Sequence, residues 1–184
     1  IPYTVDEIVA AGRECIASQG LPMDQAPLRR SQATVHMKWN VNTAILSGDV
    51  MLVKVYEMLG TLPAEVLPAA LQRFNRTAAE VCEGQQFDMN FETTRQVSIP
   101  DYVEMIGLKT AVLLGASLRI GAVIAGASST DADRMYRFGK SLGIAFQLHD
   151  DLLDAYGDPE KFGKQVGGDI IANKKTFLLL SALD

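Results

Sequence analysis

The chain has few of the residues that build common metal sites and disulfide frameworks. It contains only two cysteines, Cys15 and Cys82, and two histidines, His36 and His149. The cysteines lack metal-ligand spacing, and one pair would not form a disulfide framework, so the pattern favours a reducing, cytoplasmic environment. The histidines also lack paired ligand spacing. We therefore assign neither histidine to a metal site or to catalysis.

Basic runs and uninterrupted apolar runs are also scarce. The net charge is −5 and no long stretch of Lys and Arg occurs, which argues against a nucleic-acid-binding surface. The most membrane-like segment, residues 110–127, contains Arg119, which would cost roughly 2.5–3.5 kcal/mol at the centre of a bilayer. No secretory signal opens the sequence as given. We expect neither nucleic-acid binding nor stable membrane insertion.

The residues that are abundant indicate helices. Hydrophobic residues make up 48% of the chain but aromatic residues only 7%, which is typical of helices rich in Ala, Leu and Val. The pattern predicts helices over residues 42–59, 63–87, 100–127, 131–156 and from 174 to the end. No alternating strand pattern and no repeat is evident. We predict an all-α fold, with a single domain over residues 1–184.

Three carboxylates on the helix predicted over residues 131–156 are the most informative feature. On a helical wheel, Asp150, Asp151 and Asp154 fall with Gln147 inside an arc of roughly 100°. The remaining directions are apolar, which predicts a helix buried in a bundle. Carboxylates facing a protein interior need a cation, and Mg²⁺ suits them because it prefers hard oxygen ligands. The alternative is a solvated acidic helix end, which the apolar surroundings disfavour.

A loop with glycines and lysines follows this helix. It contains Gly163-Lys164 and Gly168-Asp169, and Lys174-Lys175-Thr176 then opens another apolar run. Glycine permits close backbone approach to a phosphate, and lysine offers a point charge. An ordinary surface loop can have the same composition. Its position after a carboxylate helix favours a loop that folds over phosphates.

Taken together, these segments resemble the trans-polyprenyl diphosphate synthases, such as farnesyl and geranylgeranyl diphosphate synthases. FQLHDDLLD at 146–154, with the loop that follows it, resembles the second aspartate-rich region of that family. Other matching segments occur in the same order: APLRR at 26–30, TVH at 34–36, NTAILSGD at 42–49, GQQFD at 84–88 and KTA at 109–111. The resemblance covers roughly residues 23–176. It implies an isoprenoid-synthase helical bundle around a central cavity, and a homodimer.

The resemblance also implies an activity and a metal site. The activity is a Mg²⁺-dependent prenyltransferase that condenses isopentenyl diphosphate with an allylic prenyl diphosphate to make a longer trans-polyprenyl diphosphate. By resemblance, Asp150, Asp154 and Asp151 would hold Mg²⁺ from one wall of the cavity. Asp24 would contribute from the opposite wall.

Further site residues follow from the resemblance. The residues implied for diphosphate binding are Arg29, Arg30, Lys109, Lys164 and Lys174, of which Arg30 is matched to isopentenyl diphosphate. Lys109, Thr110 and Gln147 would be catalytic residues. Lys109 precedes an apolar run where a free ammonium is costly, so an anionic phosphate is one explanation and a snorkelling lysine is the other.

The cavity itself is expected to be lined by Gln85 and Asp88. These residues lie three apart on one face of a predicted helix, so they can point the same way. Hydrogen bonding within the core is the alternative explanation for both side chains.

Two departures from the family pattern bear on activity. In the position of the first aspartate-rich motif only Asp24 remains, and Gly12-Arg13-Glu14 does not supply the upstream Gly-Lys-x-x-Arg element. Either the first metal site is degenerate, or segments are missing and their flanking pieces are joined. The differences are confined to residues 12–21 and to the region beyond Asp184, which favours the second explanation.

Two alternatives to an active enzyme remain. One is a catalytically silent subunit that binds prenyl diphosphates. The other is a metal-binding helical interaction module.

Overall fold

The structure, a computed structural model, describes residues 27–29, 32–158 and 167–183. The chain divides into two compact units, Ile1–Leu62 with Asp158–Gln165, and Pro63–Gly157 with Val166–Asp184. The single domain over residues 1–184 therefore stays a prediction. Three predicted site residues, Asp24, Arg30 and Lys164, lie outside the described residues, and only the backbone of Arg29 is described.

The described part of the first unit contains a short strand pair and two helices. Strand β1 (Leu28–Arg29) pairs antiparallel with β2 (Gln32–Ala33), and helices α1 (Val35–Lys38) and α2 (Val41–Leu59) follow. The sequence gives no alternating pattern for this pair, because strands of two residues are too short to show one.

Helix α2 begins at a side-chain cap. Asn40 accepts a hydrogen bond from the backbone N–H of Thr43 at 2.8 Å, which satisfies one of the donors left open at a helix start. Val35 and Ala44 are buried together and form the small core of this unit. The helix predicted over residues 42–59 is thus confirmed within one residue.

The second unit is built from helices. Its described elements are α3 (Leu67–Thr93), α4 (Ile99–Ile106), a π-helix (Gly107–Ala111), α5 (Val112–Ile124), α6 (Ser129–Tyr156), α7 (Gly168–Ile171) and α8 (Phe177–Leu183). The all-α prediction is confirmed. The predicted helix over residues 63–87 begins later and extends further than expected, while the one over 100–127 contains the π-helix, which the sequence pattern did not indicate.

Serine residues start two of these helices. Ser98 and Asp101 form a reciprocal capping box at the start of α4, with the Asp101 N–H donating to the Ser98 hydroxyl at 3.2 Å. Ser128 accepts from the N–H of Asp131 at the same distance at the start of α6. Hydrogen bonds from the hydroxyl and backbone N–H of Ser98 hold the pKa of Asp101 below its usual value.

The core of the second unit lies where α4 meets α8. Tyr102, Met105 and Ile106 from α4 are buried with Leu180 from α8. Partly buried side chains from α3 and α6 pack around them, including Phe91 and Leu148. This core fixes the position of α4, and therefore of the π-helix that continues from it.

The π-helix makes close backbone contacts with the helices on both sides. A Cβ atom at Gly84 of α3 would lie 2.7 Å from the Cα of Lys109, and one at Gly143 of α6 would lie 2.5 Å from the Cα of Ala111. Only glycine permits such approach, because any side chain would meet backbone atoms that cannot move alone. The segment that carries Lys109 and Thr110 is therefore held between α3 and α6.

We expect Gly84→Ala to destabilise the protein. The added methyl group must separate α3 from the π-helix, and such overpacking costs about 1–3 kcal/mol, which outweighs a gain in helix propensity of up to about 1 kcal/mol. Chemical denaturation should show the lower free energy of unfolding. Gly121→Ala in α5 is the matched control, because within the described chain nothing lies within 4 Å of a Cβ there. Equal stability of the two variants would contradict the close contact.

Helix α6 is not buried on all sides, contrary to the prediction from its apolar wheel. Asp151 and Asp154 are buried, whereas Phe138 is 61% and Phe146 57% exposed in this chain. The polar face of the helix points to the interior and an apolar face points outward. The carboxylates consequently lie inside the second unit, where neighbouring helices can supply their partners.

One segment among the described residues, Ile99–Ile124, is long and apolar enough by composition to cross a membrane. Core helices of soluble proteins pass the same criterion, so it is weak evidence for a membrane span. The segment comprises α4, the π-helix and α5, and its middle is enclosed by backbone contacts from α3 and α6. The absence of stable membrane insertion stays a prediction.

Candidate functional site

Two lysines and a buried aspartate form the first part of the site. The Nζ of Lys109, on the π-helix, lies 2.7 Å from Oδ2 of Asp88 on α3, and the Lys174 Nζ lies 3.8 Å from the same oxygen. The Asp88 side chain is 9% exposed, while the lysine side chains retain about a quarter of their exposure. A buried carboxylate thus holds two ammonium groups that solvent or a ligand can still reach.

The aspartate-rich segment of α6, residues 150–154, connects to these lysines through Asp169. Lys174 Nζ lies 3.9 Å from Oδ1 of Asp169, and the backbone N–H of Asp169 donates to Oδ2 of Asp154 at 3.1 Å. The backbone N–H of Lys174 also donates to the carbonyl of Asp169 at 2.9 Å. A continuous set of polar contacts therefore runs from Lys109 to Asp154.

A sharp turn places Lys174. Asn173 has a left-handed backbone with φ of 55°, a conformation that asparagine tolerates better than most residues. Its side-chain amide donates to the carbonyl of Glu92 at 2.7 Å, which fastens the turn to α3 one helical turn after Asp88. Lys174 is thereby brought next to Asp88 although 86 positions separate them in the sequence.

The second part of the site is a chain of hydrogen bonds that starts at Thr110. The Thr110 hydroxyl donates to Oε1 of Gln147 at 3.0 Å, and Nε2 of Gln147 donates to Oδ1 of Asp151 at 3.0 Å. The other oxygen of Asp151 accepts a hydrogen bond from the hydroxyl of Tyr102. Because Lys109 and Thr110 are neighbours on the π-helix, the two polar networks meet there.

Burial controls the ionisation of Tyr102 and Asp151. Desolvation, strengthened by the hydrogen bond to Asp151, raises the pKa of the Tyr102 hydroxyl far above its usual value, so Tyr102 remains a donor at ordinary pH. Desolvation also raises the pKa of Asp151, opposed by hydrogen bonds from Tyr102, Gln147 and the backbone of Phe177, while the charge of Asp150 raises it further. Asp151 is thus an internal acceptor with donors on both oxygens.

The predicted metal ligands have different surroundings. Asp151 is enclosed by protein donors, which is an environment unlike the one predicted for it as a Mg²⁺ ligand. Asp154 is buried and gives Oδ2 to the Asp169 N–H. Asp150 lies half-buried on α6 one position before Asp151. Across residues 27–29, 32–158 and 167–183, no three acidic, histidine or cysteine side chains are grouped to hold a metal.

The structure brings together most of the site residues that it describes. Lys109, Thr110, Gln147, Asp88 and Lys174 belong to one network or the other, and Gln85 lies half-buried three residues before Asp88.

Sequence reasoning missed Tyr102 and Asp169 as members of these networks. Tyr102 precedes Lys109 by seven residues, which is a helical repeat that could have indicated a shared face. Asp169 was noted only as a neighbour of Gly168, and its backbone hydrogen bond to Asp154 has no signal in the sequence.

Comparison with known proteins places this arrangement in a family. The sequence matches polyprenyl synthetase over residues 22–184. The chain belongs to the polyprenyl synthetase family. It is 42% identical over 166 residues to geranylgeranyl diphosphate synthase of Sulfolobus acidocaldarius, covering 88% of this chain and 50% of that protein. The resemblance inferred from the motifs is therefore confirmed.

Solved structures agree with the family assignment. A crystal structure of geranylgeranyl pyrophosphate synthase is 49% identical with a TM-score of 0.87, covering 96% of this chain and 54% of that chain. Geranylgeranyl pyrophosphate synthase from Corynebacterium glutamicum, complexed with isoprenyl diphosphate and magnesium, is 32% identical with a TM-score of 0.83, covering 96% and 55%. The chain spans about half the length of the relatives that it matches.

Proposed function

We propose that this polyprenyl synthetase is a prenyltransferase that joins isopentenyl diphosphate to an allylic prenyl diphosphate and releases diphosphate. The observation that carries this proposal is the continuous polar network from Lys109 through Asp88, Lys174 and Asp169 to Asp154. The proximity of two ammonium groups to buried carboxylates supports a site that binds a diphosphate and a divalent cation. The named activity of relatives such as the Sulfolobus acidocaldarius enzyme supports the same reaction.

The lysines bind the leaving diphosphate in this proposal. The allylic carbon–oxygen bond breaks with its electron pair going to the diphosphate, so negative charge grows on the leaving group. Lys109 and Lys174 can neutralise that charge by turning from Asp88 to the diphosphate. Asp88 holds both ammonium groups in place beforehand, which reduces the cost of ordering them when the substrate arrives.

Magnesium is the proposed cofactor, and the donor set fits it. Asp150 and Asp154 would hold the ion: both are carboxylates, and in the described part of the chain Oδ1 of Asp154 makes no hydrogen bond. Two carboxylates suffice because Mg²⁺ completes its shell with water and phosphate oxygens. When bound, the ion supplies positive charge to the diphosphate oxygens. Asp24 and Asp151 remain predicted ligands, of which Asp151 has the less suitable surroundings.

Thr110 and Gln147 have a separate role in the proposal. After ionisation, the alkene of isopentenyl diphosphate donates its electron pair to the allylic cation and a new carbon–carbon bond forms. The resulting cation then loses one proton to the released diphosphate. Thr110 and Gln147 present neutral oxygen atoms, which stabilise positive charge without reacting with the cation. Their mutual hydrogen bond holds the Gln147 side chain against the π-helix that carries Lys109.

The remaining predicted features complete the proposal. Arg29, Arg30 and Lys164 would bind substrate diphosphates, as the motif resemblance implies. We also propose a cytoplasmic homodimer. The apolar side chains that α2 exposes in the single chain support the dimer, among them Ile45, Leu52, Val53 and Met58.

The experiment that tests the proposed function is a turnover assay. The protein is incubated with isopentenyl and dimethylallyl diphosphates with Mg²⁺, and released diphosphate is measured, with a chelator as the control. We expect release that requires both substrates and the metal. Magnesium-dependent binding of the substrates without release would instead support the silent subunit, and no binding of either substrate would contradict both.

A further inference from the structure

A buried tyrosine hydroxyl lies at the end of the Thr110 hydrogen-bond chain and has no part in the proposed function so far. Tyr102 is 2% exposed and packs in the apolar core with Met105, while its ring lies 6.5 Å from that of Phe177. Phenylalanine would fill this apolar position as well. The hydroxyl costs desolvation unless it has a partner, and that partner is Asp151.

Protein donors occupy both side-chain oxygens of Asp151. Gln147 donates to Oδ1, and Tyr102 donates to Oδ2. The two donors come from different helices, α6 and α4, so together they fix the carboxylate plane. With Oδ1 fixed, the amide nitrogen of Gln147 must face Asp151, and its carbonyl oxygen must face Thr110.

We propose that Tyr102 is a positioning residue, which acts through Asp151 to set the orientation of the Gln147 amide at the reacting end of the site. The proposal rests on the proposed prenyl transfer and adds a residue to it. Tyr102 touches neither substrate nor metal. Its hydroxyl keeps Asp151 engaged inside the protein, so that Gln147 presents oxygen rather than nitrogen to Thr110. An amide turned by 180° would place an N–H donor, with its partial positive charge, where a cation must be stabilised.

The kinetic test is Tyr102→Phe in the full chain, with Tyr136→Phe as the matched control. Tyr136 lies on α6, and its hydroxyl accepts a long hydrogen bond of 3.5 Å from Arg73. Mutation of a residue that orients a side chain of the site through a hydrogen bond typically lowers activity by about 10- to 100-fold. We therefore expect kcat of Tyr102→Phe to fall by that factor. The KM values of both diphosphates should change less than about threefold, because the lysines are not disturbed. Unchanged kcat, or a loss confined to KM, would overturn the proposal.

The same substitution made in a Gln147→Ala protein distinguishes a positioning role of Tyr102 from simple stabilisation of the fold. In a Gln147→Ala protein there is no amide to orient, so Tyr102→Phe should have little further effect on kcat. A residue that only stabilises the core would lower activity by the same factor in both backgrounds. Equal factors would therefore count against the proposal.

A spectroscopic test does not depend on turnover. The side-chain amide of Gln147 is followed by proton–nitrogen correlation NMR, assigned through the Gln147→Ala variant. We expect its signals to shift in Tyr102→Phe and to remain unchanged in Tyr136→Phe. Identical Gln147 signals in all three proteins would overturn the positioning role, even if the protein transfers no prenyl group. A shift without turnover would leave positioning intact and count against the proposed reaction alone.

Discussion

Asp150→Asn is expected to lower magnesium-dependent turnover by about two to three orders of magnitude, which corresponds to about 3–4 kcal/mol of transition-state stabilisation. The substitution keeps the size of the side chain and removes the charge that would hold Mg²⁺ against the leaving diphosphate. Diphosphate release measured over a range of Mg²⁺ concentrations should show both the lower maximum and a weaker dependence on the metal.

The matched control for this substitution lies on the same helix. Asp133 is also on α6, but its side chain is 53% exposed and pairs with Arg119 at 2.9 Å. Asp133→Asn should leave turnover unchanged, because exposed pairs contribute little and this one is outside both networks. Thermal unfolding should be nearly the same for both variants. Unaltered turnover in Asp150→Asn would remove Asp150 from the metal site.

Lys109→Ala is expected to weaken binding of an allylic diphosphate by roughly 10- to 150-fold, since a hydrogen bond to a charged group contributes about 1.5–3 kcal/mol. Binding of isopentenyl diphosphate should change much less, because its diphosphate is matched to Arg30. Calorimetric titration with each diphosphate, in the presence of Mg²⁺, measures the two affinities separately.

Lys175→Ala provides the control for loss of one positive charge near the site. Its ammonium group donates to the side chain and backbone of Asn173, two positions earlier, and it belongs to neither network. We expect both affinities to be preserved in this variant. If Lys109→Ala weakened the two substrates equally, Lys109 would have only a general electrostatic effect and not a place at the allylic diphosphate.

The helices of this chain could be predicted because their signals are local. Ser98 and Ser128 are capping residues directly before apolar periodic segments, and both helices begin there. The spacing of Asp150, Asp151 and Asp154 likewise determined that the three carboxylates share a face of α6. Such information is contained in a few consecutive residues.

The parts that could not be predicted depend on distant contacts. The π-helix forms where Gly84 and Gly143 allow α3 and α6 to close on it, and neither glycine is near Lys109 in sequence. The prediction for α6 was wrong because it assumed that the apolar side chains of the helix are buried. Instead, the carboxylates are buried, since they have hydrogen-bond partners on other elements. The hydrogen bond from Tyr102 to Asp151 spans 49 positions and distinguishes two adjacent aspartates that look equivalent in the sequence.

The central claim is that the Lys109 to Asp154 network binds diphosphate together with Mg²⁺. A crystal structure of the protein with Mg²⁺ and a bisphosphonate, a stable diphosphate analogue, tests it most directly. The account predicts Mg²⁺ bound by Asp150 and Asp154, with Lys109 and Lys174 moved from Asp88 to the phosphonate oxygens. A structure in which Asp150 points into bulk solvent, and both lysines stay on Asp88 while the ligand binds elsewhere, would contradict it.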